Sequence, residues 1–251
     1  MAKARNKKVK KRKGLRFVKR PDPKKTTNDF PAWKVTIDKK GFEKLKHNQE
    51  FIHILNLARV TNALNFCYKA IIDAGQAETP AGKRQLFYGM SFSNAVLYEG
   101  LTFAKKLEDY FFDYDSYKTG FEVLLNDPIT KEITTKSSRF DKIRNRVTYH
   151  FHEDIFEKVL QWAEFDSYVF GSGHSDKNGD MFFSLAEDLV INFIIGKHVE
   201  MEEGREIYNK MIQEITYVMV RFFNSSQALI AEALLKKGWK IEEIDNTKPT
   251  G

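Results

Sequence analysis

Apolar residues recur at three- and four-residue steps along most of the chain, the spacing of one face of an α-helix. Phe51, Ile54, Leu55 and Ala58, then Ala63, Phe66 and Ala70, predict a first helix that begins near Gly41 and stops at Gly75. Thr79 followed by Pro80 supplies an N-cap and a first-turn proline, opening a second helix from Ala81 to about Phe112. Ser137 and Ser138 offer N-caps for a third long helix running to about Glu164. Its apolar stripe is Phe140, Ile143, Val147, Phe151, Ile155 and Trp162. Two more helices follow, Ser184 to Gly196 and about Glu202 to Lys237.

Two stretches depart from this period. After Pro21, Pro23 and Pro31, AWKVTID alternates in a way that suits one strand or simply extended chain. Between Tyr117 and Thr135, FEVLL suits a short helix and ITKEITT a strand, with Asn126, Asp127 and Pro128 marking the break. The chain has no internal repeat. The fold class expected is all-α: a bundle of long antiparallel helices over residues 31–200. A C-terminal long helix within 201–251 packs on the bundle or on a dimer partner, and residues 1–30 form a basic tail and linker.

Charge sharpens this division. The net +7 is concentrated at one end: residues 1–25 hold thirteen Lys and Arg against Asp22, a balance of +12, which leaves −5 on the other 226 residues. Such a segment has too little apolar surface to offset the entropy of ordering it, so a disordered arm is expected. Lys7, Lys8, Lys10, Lys11, Arg12 and Lys13 make it a candidate polyphosphate-binding arm. Contact with roughly 6 to 10 phosphates would weaken binding by about three to five decades between 50 and 200 mM salt. A solubilising tail or an anchor to another acidic partner is the alternative.

Other features narrow the class. No apolar run is long enough to cross a bilayer, and the basic N-terminus lacks a following apolar segment, so a cytoplasmic protein without a membrane partner is expected. Cys67, the single cysteine, excludes an internal disulfide and sits at helical spacing as a small core residue. Asp176, Asn178, Asp180 and Glu187 have calcium-loop spacing, but position six is Met181 where glycine is required, so an ordinary loop is expected. His47, His53, His174 and His198 are isolated. Glu99, five residues after Asn94, would support a site only if it faced the third helix. No metal site and no cofactor are expected.

The chemistry-bearing stretch is IRNRVTYHFHED, Ile143 to Asp154. On an α-helix turning about 100° per residue, Arg144 and His150 fall about 60° to either side of Val147 and about 9 Å apart along the axis. Asn145, Tyr149 and His152 lie on the opposite face, and Arg146 flanks His150. An unpaired arginine cannot sit deep in a core, so this pair should edge a cleft or an interface. A two-fold dimer would let one subunit's arginine complement the other's histidine. Histidine moves protons near neutral pH, and arginine offers a fixed charge with forked donors for phosphate. Together they suit RNA cleavage by its own 2′-hydroxyl without a metal.

Arg144, Asn145, four intervening residues and His150 resemble the R-N-x(4)-H form of the Arg-x(4 to 6)-His motif of the HEPN superfamily, across roughly residues 40 to 200. The resemblance implies an all-α bundle and a metal-independent, dimeric endoribonuclease of toxin-antitoxin, abortive-infection or other antiviral systems. Arg144 and His150 would then be the catalytic pair and Asn145 their polar neighbour, with Arg146 and the basic arm binding RNA. Members modified by a nucleotidyltransferase antitoxin carry a tyrosine two residues past the histidine, where this chain has His152. A non-catalytic RNA- or partner-binding module of the same fold is the alternative.

Overall fold

The computed structural model describes residues 32–35, 39–74, 79–148, 154–162, 184–197, 199, 201–237 and 241–244. In chain order these form β1 (Ala32–Val35), α1 (Lys39–Leu45), α2 (Gln49–Ala74), α3 (Pro80–Lys106) and α4 (Glu108–Phe111). A π-helical segment, π1 (Tyr117–Glu122), precedes α5 (Val123–Asn126), α6 (Pro128–Thr134) and α7 (Arg139–Lys142). A second, π2 (Ile143–Thr148), precedes α8 (Asp154–Leu160), α9 (Ser184–Ile195), α10 (Met201–Lys236) and β2 (Ile241–Ile244).

The main body, Ile37–Trp239, is an all-α helical bundle. The two strands belong to a separate unit, in which AWKV pairs antiparallel with IEEI and Ala32 lies opposite Ile244. AWKV is therefore a strand, and its partner comes from the far end of the sequence.

Three long helices frame the bundle. Gly89 approaches Ile71 and Gly100 approaches Val60, so α2 and α3 run antiparallel. Tyr68 meets Phe223 and Glu50 meets Lys237, which sets α10 antiparallel to α2. The broken run from α4 to α7 supplies the fourth side. Ser116 bonds Glu232, Asp127 bonds Arg221, and Arg139 bonds Glu214, so this run descends α10 in the opposite sense. Phe111, Phe121, Phe140 and Phe222 lie fully buried in the core, with Phe121 edge-on to Phe222 at 5.3 Å. Ile215, Val218 and Met219 of α10 are equally buried, so the bundle continues past residue 200 as one packed unit.

Local chemistry accounts for the helix ends. Thr79 caps α3 through Gly82 N–H with Pro80 in the first turn. Gly196, at φ +88°, closes α9 where a side chain would be strained. The first expected helix is interrupted, because Asn48 caps a new start by accepting from Phe51 N–H, separating α1 from α2. ITKEITT is helical: Asp127 accepts from Ile129 and Thr130 N–H, Pro128 occupies the first turn, and Thr130 and Ile133 are buried one turn apart. A three-residue burial step overrides the apparent alternation.

The buried stripe of α2 is Phe51, Ile54, Leu57, Thr61, Leu64, Cys67 and Ile71, whereas Leu55 and Phe66 are exposed. Helix α2 is apolar on two faces, and spacing alone selects the wrong one in part. Thr61 fits the core because its hydroxyl donates to the Leu57 carbonyl at 2.8 Å.

Candidate active site

The site is built from the start of the third expected helix. Ser138 caps α7 by accepting from Asp141 N–H at 3.1 Å, and Asp141 returns a bond by accepting from Ser137 N–H at 3.0 Å. The pattern is close to a capping box, but the carboxylate reaches the amide of Ser137, one residue before the N-cap, and not that of Ser138 itself. It consumes one carboxylate oxygen of Asp141 and leaves the other facing along the helix.

That second oxygen gathers the motif. Asp141 Oδ1 accepts from Asn145 Nδ2 at 2.8 Å and from Arg144 Nη2 at 3.2 Å, while Arg144 Nε donates to Asn145 Oδ1 at 3.0 Å. The guanidinium lies over the Tyr98 ring of α3, 3.4 Å from its centre. Arg144 and Asp141 keep only 15% and 16% of their side-chain surface exposed. Arg144 is therefore held in a half-sheltered seat with its charge partly compensated. The cost of burying an arginine is met by a carboxylate and an aromatic face. The bonds named engage two of the five guanidinium N–H groups.

Two expectations about the motif change. From Ile143 to Thr148 the helix is π, in which bonds run from i to i+5, so the 100° rotation used to place side chains about Val147 does not hold. Arg144 and Asn145, expected on different faces, are bonded to one another. The buried stripe itself is as expected for Phe140, Ile143, Val147 and Ile155. Trp162 packs partly buried against the core.

His150, the other half of the pair, lies outside the described residues, as do Phe151, His152 and the basic residues Lys7, Lys8, Lys10, Lys11, Arg12 and Lys13. So do His174, His198 and most of the loop from Asp176 to Glu187. Arg146 is half-exposed and engaged in an interaction of its own. Glu99 is exposed, while Asn94, five residues before it, is buried and bonded across to α7. Cys67 is a buried free thiol whose burial pushes its pKa up, which keeps it protonated at neutral pH.

Asp141 and Tyr98 carry the arrangement and were not among the expected site residues. Asp141 has a sequence signal, because Ser138 three residues before it forms the S-x-x-D start of a helix. Tyr98 has none, since a tyrosine on the second helix reads as one more aromatic in its stripe. A separate open groove lined by Lys118, Glu122, Val123, Asn126, Asp127 and Arg221 shares no residue with this cluster. Among the described residues, no group of three or more His, Cys, Asp and Glu is placed to hold a metal ion, and no helix is long and apolar enough to cross a membrane.

No protein-family model, curated protein or solved structure matches the chain.

Proposed function

We propose that the chain is a metal-independent endoribonuclease of the HEPN type, with Arg144 and His150 as its catalytic pair. The observation that supports this reading is the seat of Arg144: a cation fixed by Asp141, Asn145 and Tyr98, six residues before a histidine. A phosphate-binding group works best when it is oriented before the substrate arrives. His150 takes the proton of the RNA 2′-hydroxyl or delivers one to the departing 5′-oxygen, and Arg144 stabilises the extra negative charge on the phosphorus centre. The 2′-oxygen to phosphorus bond forms as the 5′-oxygen to phosphorus bond breaks, leaving a cyclic phosphate and a free 5′-hydroxyl. The chain acts in the cytoplasm as a homodimer that joins two such helices across one groove. Its basic arm gathers RNA, and an antitoxin or defence-complex partner restrains it.

The test is incubation with labelled single-stranded RNA in excess chelator. Cleavage is expected, with His150→Ala slower by about 10² to 10⁴. Replacing Lys7, Lys8, Lys10, Lys11, Arg12 and Lys13 by glutamine should weaken RNA retention and flatten its salt dependence while cleavage persists. An intact RNA after prolonged incubation with a dimeric preparation ends the nuclease reading.

The second reading is a non-catalytic RNA- or partner-binding module. The 3.2 Å approach of Asp141 to Arg144 favours it, because a carboxylate beside the arginine opposes a second anion. Tight RNA retention without cleavage is its outcome.

A further inference from the structure

Resting on the reading of Arg144 as the phosphate-binding cation, we propose that Asn94 is a positioning residue that fixes the π-turn on which Arg144 is mounted. Asn94 is on α3, is 1% exposed, and donates from Nδ2 to the Phe140 carbonyl at 2.7 Å. Phe140 is three residues before the start of π2.

The bond braces the helix just where its own ladder changes register. Where a helix changes from i to i+4 bonding to i to i+5 bonding, the register skips one amide, so the ladder carries one bond fewer at the junction and is held there less firmly by its own backbone. The irregularity is visible at this place: Ile143 N–H is shared between the Arg139 and Phe140 carbonyls. Asn94 supplies the additional donor from a different helix. At the other end of π2, the Thr148 hydroxyl lies within bonding distance of the Ile143 carbonyl at 3.0 Å and the Ser91 carbonyl of α3 at 3.2 Å. The π-turn is thus tied to α3 at both ends.

The polar residue is costly where it stands. Among the described residues Asn94 Oδ1 is buried with no hydrogen-bond partner, and so is the Ser91 hydroxyl one turn away. A leucine would fill the same space without an unsatisfied oxygen. What asparagine adds is the donor to Phe140, hence a fixed start to the π-turn and a fixed Arg144 relative to Tyr98. Both partners of Arg144 then trace back to rigid parts: Tyr98 rides the same helix as Asn94, one turn further on, and Asp141 is held by its bonds with Ser137 and Ser138.

The experiment compares wild type, Asn94→Leu and Asn94→Gln as full chains, by amide hydrogen exchange and by RNA cleavage in chelator. In Asn94→Leu, exchange across residues 140–148 is expected to accelerate at least about tenfold while α2 and α10 keep their protection. RNA cleavage should lose roughly 10²-fold in kcat with KM unchanged, the signature of a misplaced group rather than lost binding. Asn94→Gln, which keeps the amide donor, should recover part of both. Unchanged exchange across 140–148 in a folded Asn94→Leu protein overturns the proposal. If that variant fails to fold, the wild-type side chain decides: slow exchange of the Asn94 Nδ2 protons supports the brace, and exchange at the rate of a free amide overturns it. If exchange changes as expected but wild type cuts no RNA, the brace stands and the nuclease reading falls.

Discussion

The Arg144 guanidinium lies 3.4 Å from the centre of the Tyr98 ring, so a residue of the second expected helix forms the floor beneath the arginine of the third. A stacked cation of this kind contributes about 0.5 to 2 kcal/mol, more as water is excluded. Tyr98→Leu should lower the urea midpoint accordingly and loosen Arg144, whereas Tyr98→Phe keeps the ring face and should stay close to wild type. If Arg144 serves RNA cleavage, the rate follows the same order, with the leucine variant slowed and the phenylalanine variant spared. Equal stability of all three proteins would show that the stack carries no weight.

Asp141 holds more than Arg144 does. Its two oxygens receive Ser137 N–H, Asn145 Nδ2 and Arg144 Nη2, so truncation frees the turn that leads into α7 and leaves a sheltered arginine without its counter-charge. Asp141→Ala should therefore destabilise by about 1 to 3 kcal/mol in chemical denaturation. Asp141→Asn retains an acceptor for some of these donors and should lose less. A neutral effect of the alanine substitution would contradict the arrangement.

How much of this was legible in the sequence varies with the kind of signal. Helix starts with a dedicated cap, such as Thr79 with Pro80 and Ser138, are local chemistry and are found where expected. The face of α2 was only partly legible, because Leu55 and Phe66 mimic a core stripe and burial is decided by neighbours far away in sequence. The helical state of ITKEITT follows from Asp127 and Pro128, which in the sequence alone mark only a break. Arg144 and Asn145 stood out by residue type and spacing. Their real partners did not, since the π-turn changes the rotation per residue and Tyr98 is 46 positions away.

Gly100 marks a tight crossing of the frame. A methyl group there would come within 2.8 Å of Val60 Cγ1 and 3.2 Å of the Phe222 ring, both on long helices that have little room to retreat. Gly100→Ala gains helix propensity but overpacks the meeting point of α2, α3 and α10, and the second effect dominates at about 1 to 3 kcal/mol. A lowered melting temperature is expected. Val60→Ala in the same chain should restore part of it by removing the nearer obstacle.

Glu232 gives the bundle an acid-sensitive joint. Burial alone would raise its pKa, but hydrogen bonds from the Ser116 hydroxyl and amide and from Lys236 outweigh this and bring it from 4.5 down to about 2. A carboxylate with a depressed folded pKa contributes its full stability above about pH 4.5, and that contribution disappears as pH falls toward about 2. Glu232→Gln should be less stable at pH 7 and show a shallower loss of stability between those two values. Parallel pH profiles for the two proteins would count against the joint.

His53 illustrates the opposite situation, a polar ring without polar company. It lies 4.2 Å from the Tyr110 ring and 5.8 Å from the Phe103 ring, centre to centre, and both of its nitrogens are buried without a hydrogen-bond partner among the described residues. An unsatisfied buried group costs about 1 to 3 kcal/mol, and a phenyl ring of similar shape would occupy the same aromatic slot without that penalty. His53→Phe at pH 7.5 is therefore expected to stabilise the protein, raising the melting temperature by about 2 to 4 °C per kcal/mol recovered for a body of this size. The gain should vanish in His53→Gln, which keeps polar atoms in the slot and gives up the ring. A lower melting temperature for the phenylalanine variant would mean that the imidazole is satisfied in solution by a bound water or a rotated neighbour, and that no such penalty exists.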